Sequence, residues 1–144
     1  VAFRPHNESS ADLAVEREAA GYLERAWKCS VEKLSPTLYG VDWALYRQNR
    51  LVSFAEFKAR GQKYDTLLLS LGKVIHARAL ARGAGVPFIV VVRWPDGLFY
   101  WRDDNRNLSA MQGGRVDRGQ SGDTEPVVHV PTSDFKLIIA RRSV

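Results

Sequence analysis

The sequence predicts an α/β fold whose elements run in the order α, β, β, β, α, β, β. Three observations carry that prediction: an amphipathic helical period over residues 12–29, a hairpin leading into period-two alternation over 51–60, and a second helical period followed by a continuous apolar strand. With 144 residues, 45% hydrophobic and 26% charged, the chain is long enough to bury one core and reads as a single domain over 1–144. Its longest strongly apolar stretch, Phe88 to Val92, is too short to span a membrane.

Ser9 or Ser10 can cap the first helix, placed at residues 12–29. On a helical wheel Leu13, Val15, Ala19, Ala20, Tyr22, Leu23, Ala26 and Trp27 share one broad arc. Glu16 falls inside that arc, whereas Glu18 and Glu24 lie at or beyond its edges. A carboxylate on a core face is costly unless something compensates it, so Glu16 stands out. Ser35-Pro36 and Gly40 interrupt the chain before a strand at 41–46, and Arg47-Gln48-Asn49-Arg50 turns it into a strand at 51–60. Alternation there puts Val52, Phe54, Glu56 and Lys58 on one face, with Leu51, Ser53, Ala55, Phe57 and Ala59 on the other.

After the loop at 61–64, Asp65 or Thr66 is expected to open a second helix bearing Leu67, Leu68, Leu71, Val74, Ile75 and Ala79 and ending near Gly83. Residues 86–93 read as a buried strand, and Pro95-Asp96-Gly97 turns it into another at 98–102. The core then spans about 12–102. The polar, glycine-bearing stretch 103–126 reads as a mobile surface loop, with a late strand at 127–130 and a segment at 135–140 packing back.

The net charge is +5, and it is concentrated locally. Lys58, Arg60, Lys63, Lys73, Arg78 and Arg82 fall within 25 residues that hold only one acid, Asp65. That excess favours a polyanionic partner such as nucleic acid. One cysteine, Cys29, excludes an internal disulfide, and His6, His76 and His129 have no zinc-ligand spacing. No charged, apolar leader precedes the first helix, so a reducing cytoplasmic setting is expected. Trp27, Trp43, Trp94 and Trp101 sit in patterned strands and helices and are expected to pack rather than stack on bases.

Glu16, Asp42, Glu56 and Lys58 form the informative set. Asp42 lies in one arm of the hairpin and Glu56 and Lys58 in the other, so antiparallel pairing brings them together. Convergent carboxylates suit a hard cation such as Mg²⁺, which activates water for in-line attack on a phosphodiester. Lys58 beside that water orients it and stabilises charge on the phosphate. Taken alone, Glu-x-Lys is an ordinary ion pair on a solvated strand face.

Asp42, then Ala55-Glu56-Phe57-Lys58 on the next strand, behind a glutamate-bearing helix and ahead of a helix and an apolar strand, resembles the PD-(D/E)XK nuclease superfamily. The local likeness is to archaeal Holliday-junction resolvases and to small phage-encoded nucleases, and it covers roughly residues 12–102. Val15-Glu16-Arg17-Glu18 is similar to the Glu-Arg-Glu run of those resolvases, which implies Glu16 in the site with Glu18 in reserve. Val41 stands where the superfamily motif has proline. The resemblance implies a restriction-endonuclease-like αβββαβ core with a central mixed sheet flanked by helices. It further implies a metal-dependent DNA endonuclease using Mg²⁺, with Mn²⁺ substituting, and a homodimer if the substrate is a junction with two strands to cut. Asp42, Glu56 and Glu16 are the expected metal ligands, and these three with Lys58 the catalytic set. Arg60 and Lys63, which follow Lys58 into a loop, and Ser70 and Lys73, three apart on the next element, are the expected DNA contacts. Two alternatives remain: a phage nuclease cutting duplex or single-stranded DNA in a bacterial host, and a silent DNA-binding module of the same fold. Intact Asp42, Glu56 and Lys58 argue against silence.

Overall fold

The computed structural model describes residues 9–35, 39–108, 110–114 and 124–141. Helix α1 (Ser10–Trp27) opens on a capping box, in which the Ser9 hydroxyl accepts from the Asp12 N–H and the Asp12 carboxylate accepts from the Ser9 N–H. It ends where Lys28 turns left-handed at φ 52°. Its buried residues are Glu16, Ala19 and Leu23. Tyr22, at one edge of the expected arc, is exposed.

Strand β1 (Ser30–Lys33), which the sequence pattern does not delimit, pairs antiparallel with β2 (Trp43–Arg47). Strand β3 (Arg50–Ala59) follows a two-residue turn in which Gln48 and Asn49 both have positive φ, the geometry that matches strand twist in a tight hairpin. The register slips between Leu45 and Tyr46, which pair with Ser53 and Leu51 and leave Val52 over as a bulge. Val52 consequently packs on the α1 face while Leu51 and Phe54 pack on the opposite one. The expected face of Val52, Phe54, Glu56 and Lys58 therefore holds only from Phe54 onward.

The largest departure lies in residues 66–70. These form a strand, β4 (Thr66–Ser70), instead of the first turn of a helix. Leu67 and Leu69 are buried and Leu68 is exposed, an alternation of period two. β4 pairs antiparallel with β8 (Thr124–Pro131), so a long-range ladder overrides the local helical pattern. Helix α2 (Leu71–Ala84) starts only after Ser70 and stops at Gly85, whose φ of 69° suits glycine. It buries Val74, Ala77 and Ala81 and leaves Ile75 exposed.

Strands β5 (Phe88–Trp94) and β6 (Gly97–Arg102) form the expected second hairpin, and β9 (Lys136–Ala140) adds to β6 as the expected return. The stretch expected to be loop at 103–126 contains β7 (Ala110–Gly114) and the start of β8, which pair with each other. Residues 109 and 115–123 of that loop lie outside the described residues.

The main sheet has the order β1-β2-β3-β5-β6-β9, with β3 and β5 parallel and every other pair antiparallel. Against one face lies α1, whose Ala19 and Leu23 meet Trp43, Leu45, Ala55, Ile89 and Val91. Against the other lie α2 and the three-stranded sheet β4-β8-β7. The fold is thus α/β with a central mixed sheet flanked by helices, as expected, with a small second sheet beside α2. Trp43, Trp94 and Trp101 are buried, and Trp27 meets the Tyr100 ring edge-on at 4.8 Å, so all four tryptophans pack. Cys29 is a free, half-buried thiol whose pKa burial pushes up, which leaves it a poor nucleophile.

Candidate active site

Asp42 sits in the bend immediately before β2, one residue short of the strand expected for it. Its backbone is nevertheless pinned on both sides, the N–H donating to the Ala55 carbonyl at 3.1 Å and the carbonyl accepting from the Leu34 N–H at 2.7 Å. Trp43 pairs with Ala55, and continuing that register by one residue sets Asp42 beside Glu56. Asp42 Oδ2 accepts the Phe57 N–H at 2.8 Å, taking the place of a ladder bond. Just upstream, Gly40 has φ +73° and leaves no room for a Cβ, which would collide with the His76 ring. His76 Nε2 in turn lies 2.9 Å from the Tyr39 carbonyl oxygen, so α2 clamps the turn that delivers Asp42. No local sequence signal marks His76 for this task.

Glu56 is buried on the α2 face of β3, and its Oε1 lies 3.7 Å from Lys58 Nζ and 3.5 Å from Lys73 Nζ. Lys58 is largely buried, whereas the Lys73 side chain is 55% exposed. Burial holds the Lys58 ammonium below the ordinary lysine range, Glu56 opposes that shift, and Lys73 adds to it. Asp42 responds in the opposite sense. Burial first, then the charge of Glu56, pushes its pKa up to about 7, against the Phe57 N–H, which lowers it.

Glu16 projects from α1 into the same neighbourhood and raises Asp42 slightly further. Its own Oε2 is engaged, accepting the Trp43 indole N–H at 2.8 Å and pairing with Lys33 at 2.7 Å. These contacts answer the desolvation question its position on the helix posed. Lys33, on the short strand β1, is a partner that sequence reasoning missed.

The remaining expected contacts divide. Ser70 is the N-cap of α2, its hydroxyl accepting from the Lys73 N–H and donating to Glu125 Oε2 at 3.3 Å. Ser70 and Lys73 line the same small depression as Glu56 and Lys58. Lys63 is committed elsewhere, to Asp96 at 3.2 Å and over the rings of Trp94 and Phe99. Arg78, in the basic stretch, forks onto Asp103 at 2.7 and 2.8 Å and is a structural ion pair.

The donor set suits a divalent cation held by two acids. Asp42 Oδ1 is a buried carboxylate oxygen with no partner among the described residues, beside a second buried carboxylate that raises its pKa. A cation relieves that repulsion, and Mg²⁺ is commonly held by one or two carboxylates plus waters and substrate phosphate. Among the described residues no three His, Cys, Asp or Glu side chains are gathered around one point; Glu16, the third expected ligand, lies near enough to act on Asp42 while its Oε2 is held by Trp43 and Lys33.

A mixed sheet with an aspartate at its edge beside Glu-x-Lys on the next strand is the arrangement expected of the PD-(D/E)XK superfamily. Residues 2–138 match the family described as "Phage putative PDDEXK endonuclease", and the chain belongs to it. Among solved structures it is similar to Hjc of Archaeoglobus fulgidus, a Holliday junction resolvase from an archaeal hyperthermophile, at 17% identity and TM-score 0.59 over 86% of each chain. That likeness is one of fold. No curated protein matches the chain. Among the described residues no helix is long and apolar enough to cross a membrane.

Proposed function

We propose that the protein is a metal-dependent DNA endonuclease that hydrolyses phosphodiester bonds at Asp42, Glu56 and Lys58, acting on branched DNA of the Holliday-junction kind. The observation that carries the reading is the buried Asp42 Oδ1, without a partner among the described residues, next to Glu56, with a lysine of weakened proton affinity on the same strand. When bound, Mg²⁺ or Mn²⁺ supplies charge neutralisation and activation of water.

The protein's own groups do the rest. The Phe57 N–H fixes the Asp42 carboxylate by one oxygen and leaves the other for a ligand. Lys58 and Lys73 hold Glu56 from two sides. Lys58 Nζ orients the attacking water and faces the charge that develops on the phosphate oxygens, a task that preorganised donors in a buried site perform well. Lys73, more exposed, meets a phosphate approaching from solvent. Glu16 keeps Trp43 and Lys33 in place and so positions the bend at Asp42 without itself touching substrate. The branched-DNA assignment rests on fold likeness and carries with it a homodimer, because two symmetric strands need two cuts.

A substrate panel tests the proposal. With Mg²⁺ or Mn²⁺, a four-way junction is expected to be cut in preference to linear duplex, single strand and supercoiled plasmid, and a chelator is expected to abolish cutting. Preference for duplex or single strand would leave an endonuclease without the resolvase assignment. DNA binding without cutting of any substrate would identify a silent module.

A further inference from the structure

The C-terminal end of β3 leaves the acidic pair and enters a second concave surface. There Arg60, Arg93 and Arg141 line an open groove of about 200 Å³, with Gly61 and Trp94. The three arginines come from the ends of three different strands. Their backbones are fixed: the Arg60 N–H donates to the Arg93 carbonyl at 2.9 Å, and the Arg141 N–H to the Asp96 carbonyl at 3.0 Å. Among the described residues neither Arg93 nor Arg141 has a carboxylate within ion-pair distance, and Asp96 on the adjoining turn is taken by Lys63. Among the described residues Arg93 and Arg141 thus bring two side chains without a counter-charge to one groove, beside Arg60, and phosphate is the anion that planar guanidinium forks match.

We infer that this groove is a subsite for a DNA backbone phosphate flanking the scissile one, a reading that rests on the proposed nuclease function. Continuity supports it. Arg60 follows Lys58 by two residues, roughly 7 Å of extended chain, so one strand lying across Lys58 reaches the groove without a gap. The groove is also unsuited to reading bases. Trp94 is only 2% exposed and has the Lys63 ammonium against its ring at 4.8 Å, so it offers no free face for stacking. Contacts here hold the backbone and add affinity without sequence preference.

The test is DNA binding followed by fluorescence anisotropy against salt, in chelator so that nothing is cut. Arg93→Gln/Arg141→Gln is expected to make the slope of log K against log salt shallower by about 1.8, as loss of two phosphate contacts requires, and to do so equally on unrelated sequences. Arg102→Gln removes the same charge at the opposite end of the β5–β6 ladder and is expected to leave the slope near wild type. Arg141→Gln alone, on the exposed chain beyond β9, is expected to give half the effect and covers the case in which the double variant fails to fold. In cutting assays the double variant is expected to raise KM and keep kcat. A wild-type slope in both groove variants, with Lys73→Ala still reducing it, would overturn the subsite and leave the nuclease reading standing. Absence of DNA binding by the wild type would overturn both.

Discussion

Asp42→Asn is expected to stabilise the metal-free protein at neutral pH. The Asp42 carboxyl titrates at about 7 in the folded protein against a reference of 3.8. At about 1.36 kcal/mol per unit, ionising it in place costs up to about 4 kcal/mol more than in the unfolded chain. The sign follows from proton binding. Between 3.8 and about 7 the folded protein holds more protons, so stability is full below the unfolded value and falls as pH rises through the folded one. Asparagine keeps an oxygen to accept the Phe57 N–H and carries no charge. At pH 8 the variant should therefore melt on the order of 10 °C above wild type, at roughly 2–4 °C per kcal/mol. The gap should close below pH 4. Mg²⁺ should raise the melting temperature of the wild type more than that of the variant, because a bound cation relieves the same repulsion. Scanning calorimetry at pH 4 and pH 8, with and without Mg²⁺, checks all of this. A variant no more stable than wild type at pH 8 would refute the claim that burial, with Glu56 beside it, penalises the Asp42 charge.

Glu16→Ala leaves the buried Trp43 indole N–H without its acceptor and should cost about 1–3 kcal/mol in urea unfolding, most of which Glu16→Gln restores. Arg78→Ala strands the buried Asp103 carboxylate and should cost about 3–5 kcal/mol, with an unchanged salt dependence of DNA binding. Lys73→Ala should do the reverse. Its melting temperature stays near wild type, while salt titration of DNA binding shows a slope shallower by about 1 on any sequence.

The relation between Glu56 and Lys58 is legible in the sequence because it needs only the alternation of one strand, and the bulge at Val52 falls before it. Asp42 is legible through its spacing from that strand, although β2 begins only at Trp43 and leaves Asp42 in the bend before it. The segment 66–70 is misread because Leu67, Leu68 and Leu71 satisfy a helical face until β8, about sixty residues away, supplies a ladder. Likewise β7 is hidden in a glycine-bearing stretch whose partner strand alone makes it regular. β1 is short and mostly exposed, so it carries no hydrophobic pattern, yet it delivers Lys33 to Glu16. The basic stretch looks uniform in sequence and is not so in space. Arg78 braces Asp103 and Lys63 braces Asp96, while Lys73 turns to Glu56. The arginine groove draws on residues 60, 93 and 141, and no local window contains more than one of them.

The most direct test of the account is cleavage of a labelled four-way junction under single-turnover conditions by wild type and Glu56→Gln, each with Mg²⁺ and with chelator. Glu56→Gln removes one carboxylate charge with almost no change of shape and should fold and bind DNA as wild type does. Strand cutting is expected from the wild type in Mg²⁺ alone, with a loss of at least about a hundredfold in the variant, the scale of removing one group that acts in the transition state. Cutting by Glu56→Gln at the wild-type rate, or cutting that persists in chelator, would contradict the account.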